Sequence, residues 1–545
     1  MKYKILLLII IGITFLFFIS SITAITATNI QHSKNFDGYI LFTPEFSKKT
    51  FLINSTGDII RQWESNYIQA LPAYLLENGN ILRADMPYPN PTFFGGGITG
   101  QVEMFDWDGE FIWNYILSNN QYCLHHDIEP LPSGNILMIA WEYKSRSEAI
   151  YEGRNPNYLG DNMWADYIFE IEPFTNNIVW EWSSWDHLIQ DYDPTKQNYG
   201  DVGSHPELID INLPQHTTEG DWLHINSIDY NEELDQILIC SCYLDEIFII
   251  DHKTNNILYR WGNPQNYRAP GERQFFHPHD ARWIEPNYPG EGNILVFNNG
   301  VNRPDGNYST VDEIVPPVDG DGNYYLEPGS SYGPEEPVWI YDCNFYALYI
   351  SGAQRLPSGN TLICNGPIGK FIEVTPAKEI VWEYVNPYPN YYMNDVFTIQ
   401  YYSSLEKPES EDLDCEGSLN WKNVKPKDIL NGIFKVKNIG EPDSLLDWKI
   451  VSYPDWGIWS FSPESGENLT PEDGQVTVQI SVIAPDEKNK KFEGYIIVEN
   501  QENSEDFEVI PIYLTTPRNK ISINSFFLLF LDRFPILQKL LYFII

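Results

Sequence analysis

Five of the ten histidines in this 545-residue chain fall in three short strings: HHDIEP at 125–130, LHINSIDY at 223–230 and HPHDARWI at 277–284. A neutral imidazole can ligate a transition metal, or act as base, acid or nucleophile toward an electrophilic centre. Each string runs into a turn-and-strand unit (LPSGNIL, LDQIL, GEGNIL), and alignment on that unit brings His126, His224 and His279 to matching positions of successive repeats. Scarce imidazoles at equivalent positions imply one shared site. Metal ligation usually brings tight local spacing or carboxylate partners, but Asp127 and Asp280, which follow two of the histidines, would point to the opposite face of a strand. Arg303 in FNNGVNR and Arg355 in SGAQRL are the cations expected beside the same mouth. Arginine offers a planar fork of donors matched to phosphate, carboxylate or sulfate oxygens. The pattern therefore favours an anionic group held among histidines, with no metal and no other cofactor.

Those residues need a scaffold that repeats. Six apolar segments carry a tryptophan at comparable places, at Trp63, Trp113, Trp180, Trp261, Trp339 and Trp382, and each reads as one strand. Asn-Gly, Ser-Gly and Glu-Gly dipeptides precede runs rich in Ile, Leu and Val, as hairpins require. Four strands per period of ~40–50 residues are the signature of a β-propeller. Six tryptophan strands predict six blades. The insertions 143–165 and 184–221 are long enough to be lids, and Tyr122, Trp141, Trp222, Phe275, Phe276 and Trp283 flank the histidine strings as candidate substrate contacts. VDGDGN at 318–323 resembles the opening of a calcium loop through Asp319, Asp321 and Asn323, but it lacks the glutamate an EF-hand needs and reads as an acidic turn.

Charge narrows the partners. With 34 Lys and Arg against 76 Asp and Glu, the net charge of −42 disfavours nucleic acid. Six scattered cysteines suit neither a disulfide scaffold nor a zinc finger; Cys240 and Cys242 share a strand face and read as packed side chains.

The strings DWLHINSIDY (221–230), HPHDARWI with FNNGVNR (297–303), SGAQRLPSGNTLI (351–363) and HHDIEPLPSGNILMIAWE (125–142) resemble the arylsulfate sulfotransferase family over roughly residues 35–400. The resemblance implies an exported six-bladed propeller that moves a sulfuryl group from one phenol to another through a sulfohistidine. Carried over by motif, His224 matches the HIN histidine, His279 the HDA histidine and Arg303 the downstream arginine. The family's nucleophilic histidine would come from a later blade. No histidine follows His279, and Gln354 and Arg355 occupy that region, so either His279, His224 or His126 serves, or the activity differs, or the chain is an inactive relative. We expect His279 as nucleophile or general acid, His224 and Arg303 clamping sulfuryl oxygens, and His126 as a further mouth residue. Arg355, Asn226 and Trp222 are the substrate-binding candidates. A non-catalytic propeller that binds a glycan or protein and a metal-dependent hydrolase are the competing readings.

The fold expected is all-β: a six-bladed β-propeller followed by an immunoglobulin-like β-sandwich, with an N-terminal signal helix and a C-terminal amphipathic tail. Residues 1–27 have the charged start, apolar run and small residues of a signal peptide, or of an uncleaved anchor. The propeller is placed at 28–403, an acidic linker at 404–417, the sandwich at 418–516 and an apolar tail at 517–545. Asp532 and Arg533 would be costly in mid-membrane, so the tail is expected to lie along a membrane surface or another envelope component through residues 520–545. Asn54, Asn307 and Asn468 head glycosylation-type triplets. The location expected is extracellular or cell envelope; the partners are a small aromatic sulfate donor and a phenolic acceptor.

Overall fold

Hairpin turns and β-rich runs build six four-stranded antiparallel sheets between Tyr39 and Tyr402. The computed structural model describes residues 36–517 except 159, 215–219, 321, 406–410, 441–443, 502 and 504–505. The expected signal segment, the 520–545 tail, Asp321 and part of the expected linker lie outside the described residues. Among the described residues no helix is long and apolar enough to cross a membrane.

The innermost strands, taken as blades 2 to 6 in chain order, are Ile68–Leu75, Tyr122–Pro130, Ile225–Asn231, Pro278–Trp283 and Gly352–Arg355. Blade 1 takes its inner strand, Val396–Tyr402, from the end of the propeller and pairs it antiparallel with Tyr39–Pro44, so the two ends of the propeller segment close one ring. The six expected tryptophan strands are the outermost strands of the six blades. Their indoles link neighbours. Trp63 donates its ring N–H to Asp106 O of blade 2, Trp180 to Asn255 of blade 4, Trp261 to Pro334 O of blade 5, Trp339 to Pro376 O of blade 6, and Trp382 to Ser55 O of blade 1.

The inner strands meet around one cation. Arg282 of blade 5 donates to Asp280 at 2.7 Å, to Gln400 of blade 1 at 2.9 Å and to the Tyr74 hydroxyl of blade 2 at 3.4 Å. Tyr74 donates to Asp127 of blade 3 at 2.7 Å, and Asp127 accepts from Ile228 N of blade 4 at 3.2 Å. Blade 6 contributes by omission: a Cβ on Gly352 would stand 1.8 Å from Asp280 Oδ2. Burial pushes the Asp127 carboxyl up to about 6 and Asp229 to about 7, with Arg282 pulling both back down.

Residues 411–516 form a second unit, a sandwich of a four-stranded and a five-stranded sheet around Phe434, Trp448, Val478, Val498 and Ile512. Part of the stretch read as linker belongs to it. Leu413–Glu416 pairs with Ile429–Asn438, because Leu413 alternates inward to the core while the acidic residues beside it face out.

Arg282→Met is expected to lower unfolding free energy by about 3–5 kcal/mol, since it strands buried carboxylates without their cation. Those carboxyls hold protons in the fold up to higher pH than in the unfolded chain, so charging them costs stability as pH rises. The deficit, read from urea unfolding, should therefore be larger at pH 8 than at pH 5.

Candidate active site

Three inner strands break their regular pairing where the histidines stand. Register shifts lie between Leu124 and Ile128, Ile225 and Ser227, and His279 and Arg282. His126, His224 and Asp280 have φ of 54°, 52° and 51°, in the left-handed region that side chains seldom adopt. In blades 3 and 5 the break turns His126 and His279 into a cavity while the neighbouring Asp127 and Asp280 reach the Arg282 network, and His224 stands just ahead of the blade 4 strand. The cavity is about 490 Å³ and is lined by His126, His224, His277 and His279 together with apolar side chains. That volume suits a small aromatic ligand.

The imidazoles do not share one electrical state. His279 Nδ1 lies 2.8 Å from Asn299 Oδ1, and the Asn299 amide nitrogen donates to Ala347 O and Ile350 O, both at 2.9 Å. Those two bonds fix the amide so that its oxygen faces the ring. An amide oxygen only accepts, so Nδ1 carries the proton and the Nε2 lone pair is left for chemistry. Burial, reinforced by the charges of His277 and His224, holds His279 well below the usual imidazole range, which keeps it neutral.

His224 is the opposite case. Burial opposes its charge, but the adjacent Asp221 carboxylate, hydrogen-bonded to Nδ1, and Asp166 beyond it hold the imidazole above its ordinary value. Tyr243 stacks on the same ring with centroids 4.5 Å apart. His126 lies edge-on to His224 at 4.3 Å, and burial with the neighbouring imidazoles keeps it well below the usual range. Its Nδ1 is 2.8 Å from His125 Nδ1, and His125 stacks on Trp141 at 4.2 Å. His125 Nε2 sits 3.3 Å from Asp166, bent too far for a hydrogen bond.

The cations expected at the mouth are elsewhere. Arg355 is buried in a 2.5 Å ion pair with Glu313 and lies over the Trp339 ring, joining blades 6 and 5. Arg303 is held by the rings of Phe276 and Tyr308 and donates to Thr310; it does not line the cavity. Asn226 is wholly buried and donates to Pro278 O at 2.8 Å, so it positions the strand that carries His279 rather than touching the cavity. Trp222 is core, packed among Leu223, Ile225 and their neighbours. None of the flanking aromatics named from sequence lines the cavity; Phe46, Tyr243, Tyr349 and Phe397 do. Among the described residues the insertions 143–165 and 184–221 supply no wall of it, whereas the loops around 95–98 and 349–350 do. Sequence reasoning also missed Asp221 and Asn299. Both were visible, one three residues before His224 and the other in the FNNG string. The acidic 319–323 turn closes on itself through Asp319 and Asn323. Among the described residues no three of His, Cys, Asp and Glu are grouped to hold a metal ion, and the six cysteines are unbridged.

Residues 25–403 match the family model described as Arylsulfotransferase (ASST). No curated protein matches the chain. Solved structures similar to it include a protein of unknown function from Bacteroides caccae, at 13% identity over 67% of this chain and 98% of that one, with a TM-score of 0.37. The nidogen/laminin complex matches at 8% identity over 66% and 97%, TM-score 0.36. Virginiamycin B lyase from Staphylococcus aureus matches at 11% over 65% and 85%, TM-score 0.32.

The His126 ring rests directly on Gly97, where an added Cβ would lie 2.0 Å from it, at a φ of +80°. Gly97→Ala should cost about 1–3 kcal/mol in urea unfolding. Gly96→Ala, whose Cβ would meet nothing within 4 Å, is the control expected to be close to neutral.

Proposed function

Because the chain belongs to the arylsulfotransferase family over residues 25–403, we propose that its cavity transfers a sulfuryl group from an aryl sulfate to a phenol through His279. The observation that supports His279 is its bond to Asn299, which leaves Nε2 unprotonated on a ring that lines the cavity. In the first half-reaction the Nε2 lone pair forms the N–S bond as the S–O bond to the aryl group breaks. The departing phenoxide takes the proton of the His224 imidazolium and leaves as a phenol. His279 then carries the sulfuryl group on Nε2 and keeps its Nδ1 proton against Asn299. In the second half-reaction an acceptor phenol gives its proton to the now neutral His224, its oxygen attacks sulfur, and the S–N pair returns to Nε2. Asp221 holds His224 ready for both proton transfers, in the manner of a carboxylate behind a catalytic histidine. His126 faces the same space as a neutral donor or acceptor to the sulfuryl oxygens, whose charge needs fixed partners in the transition state.

We also propose export and attachment to the cell envelope, on the strength of residues 1–27 and 520–545. A chain truncated before residue 520 should leave the membrane fraction that holds the intact chain.

With a chromogenic aryl sulfate as donor, release of the coloured phenol should depend on added phenol, and His279→Ala should abolish it. Radiolabelled sulfate from the donor should remain on the native protein in the absence of acceptor, and be missing from His279→Ala. A release rate unchanged in that variant would reject the reading. The donor half-reaction needs protonated His224, so its rate should fall as pH rises through the raised His224 value. Asp221→Asn removes the carboxylate that raises it, and should move that fall to lower pH by about one unit or more.

A further inference from the structure

The wall of the cavity facing the histidines presents a carboxyl group, with a second one behind it. His126, His224 and His279 come from blades 3, 4 and 5, and in a six-membered ring blade 1 stands across from blade 4. Blade 1 presents Glu45, which lines the cavity and whose backbone N–H donates to Asp395 O at 2.8 Å. The Asp395 carboxylate accepts from the hydroxyl of Tyr349, another lining residue, at 2.9 Å. No lysine or arginine lines the cavity, and neither carboxylate has an ion-pair partner among the described residues. Leu71, Ile350 and Phe397 provide the apolar floor between the two sides.

A carboxyl kept against an apolar cavity without a cation is costly unless a ligand brings one. Resting on the transferase reading above, we infer that the preferred acceptor is a phenol carrying an ammonium group, its ring on Leu71 and Phe397, its hydroxyl at His279 and its cation at Glu45. The sulfate end of the donor is repelled by the same carboxylates and drawn to the His224 imidazolium, so the two substrates share one polarity in the cavity. Burial and the Asp395 charge push Glu45 up to about 7. A bound ammonium would draw it back down, so binding at neutral pH should release protons and strengthen as pH rises through 7.

The test compares three acceptors on the full chain with one aryl sulfate donor: tyramine, its uncharged analogue para-propylphenol, and para-hydroxyphenylpropionate. Tyramine should exceed para-propylphenol in kcat/KM by at least about tenfold, with the anionic phenol poorest. Glu45→Gln should bring the ratio of the first two close to one, and Asp395→Asn should reduce it. Phenethylammonium, which cannot accept a sulfuryl group, should bind the native chain in calorimetry with proton release that differs between buffers, and bind Glu45→Gln at least about tenfold more weakly. Equal kcat/KM for tyramine and para-propylphenol in the native chain, or a preference that survives Glu45→Gln in a variant with native unfolding behaviour, would overturn the inference while leaving sulfuryl transfer standing. If no phenol accepts, the transferase reading fails and the calorimetry still decides whether Glu45 holds an ammonium group.

Discussion

A guanidinium taken out of water has to be given acceptors on every side, and Arg282 obtains them from the whole ring. Blade 5 supplies Asp280, blade 1 Gln400, blade 2 Tyr74, and through Tyr74 the network reaches Asp127 of blade 3 and the backbone of blade 4. Blade 6 is bound to the same point by having no side chain at Gly352. Six sheets that could each tolerate some sliding against a neighbour are thereby referred to one centre. The carboxylates outnumber the cation, and the surplus is absorbed by raised proton affinity at Asp127 and Asp229 rather than by further basic residues.

The histidine cavity sits directly on this arrangement. The bulges that let Asp127 and Asp280 reach Arg282 are those that turn His126 and His279 into the cavity. One local departure from regular strand geometry thus serves two layers. Below it, charge is neutralised and fixed; above it, the imidazoles are set apart, with a neutral His279 beside a His224 whose proton affinity Asp221 raises.

Much of this was legible in the sequence because the informative residues are scarce. Tryptophan at six comparable places gave the blade number, and imidazoles before equivalent turns gave the three strands of the site. Charge was a poorer guide. Arg355 looks the same in sequence whether it faces a ligand or a carboxylate, and its partner Glu313 lies in another blade. Glu45 and Phe397 were invisible for a related reason: their part in the cavity depends on loops and strands brought together only by ring closure. The sandwich edge at Leu413–Glu416 was missed because acidic residues on its exposed face imitate a linker.

The indole links have a consequence for when the molecule can act. Trp382 is joined to Ser55 across 327 positions of chain, and the strand beside Tyr39–Pro44 is the last of the propeller to be synthesised. A nascent chain that has completed blades 3 to 5 already owns its three histidines, yet lacks Phe397 from the floor and Asp395 from the opposite wall. A complete cavity is thus withheld from every incomplete length of the propeller, and timing is written into the order of its strands.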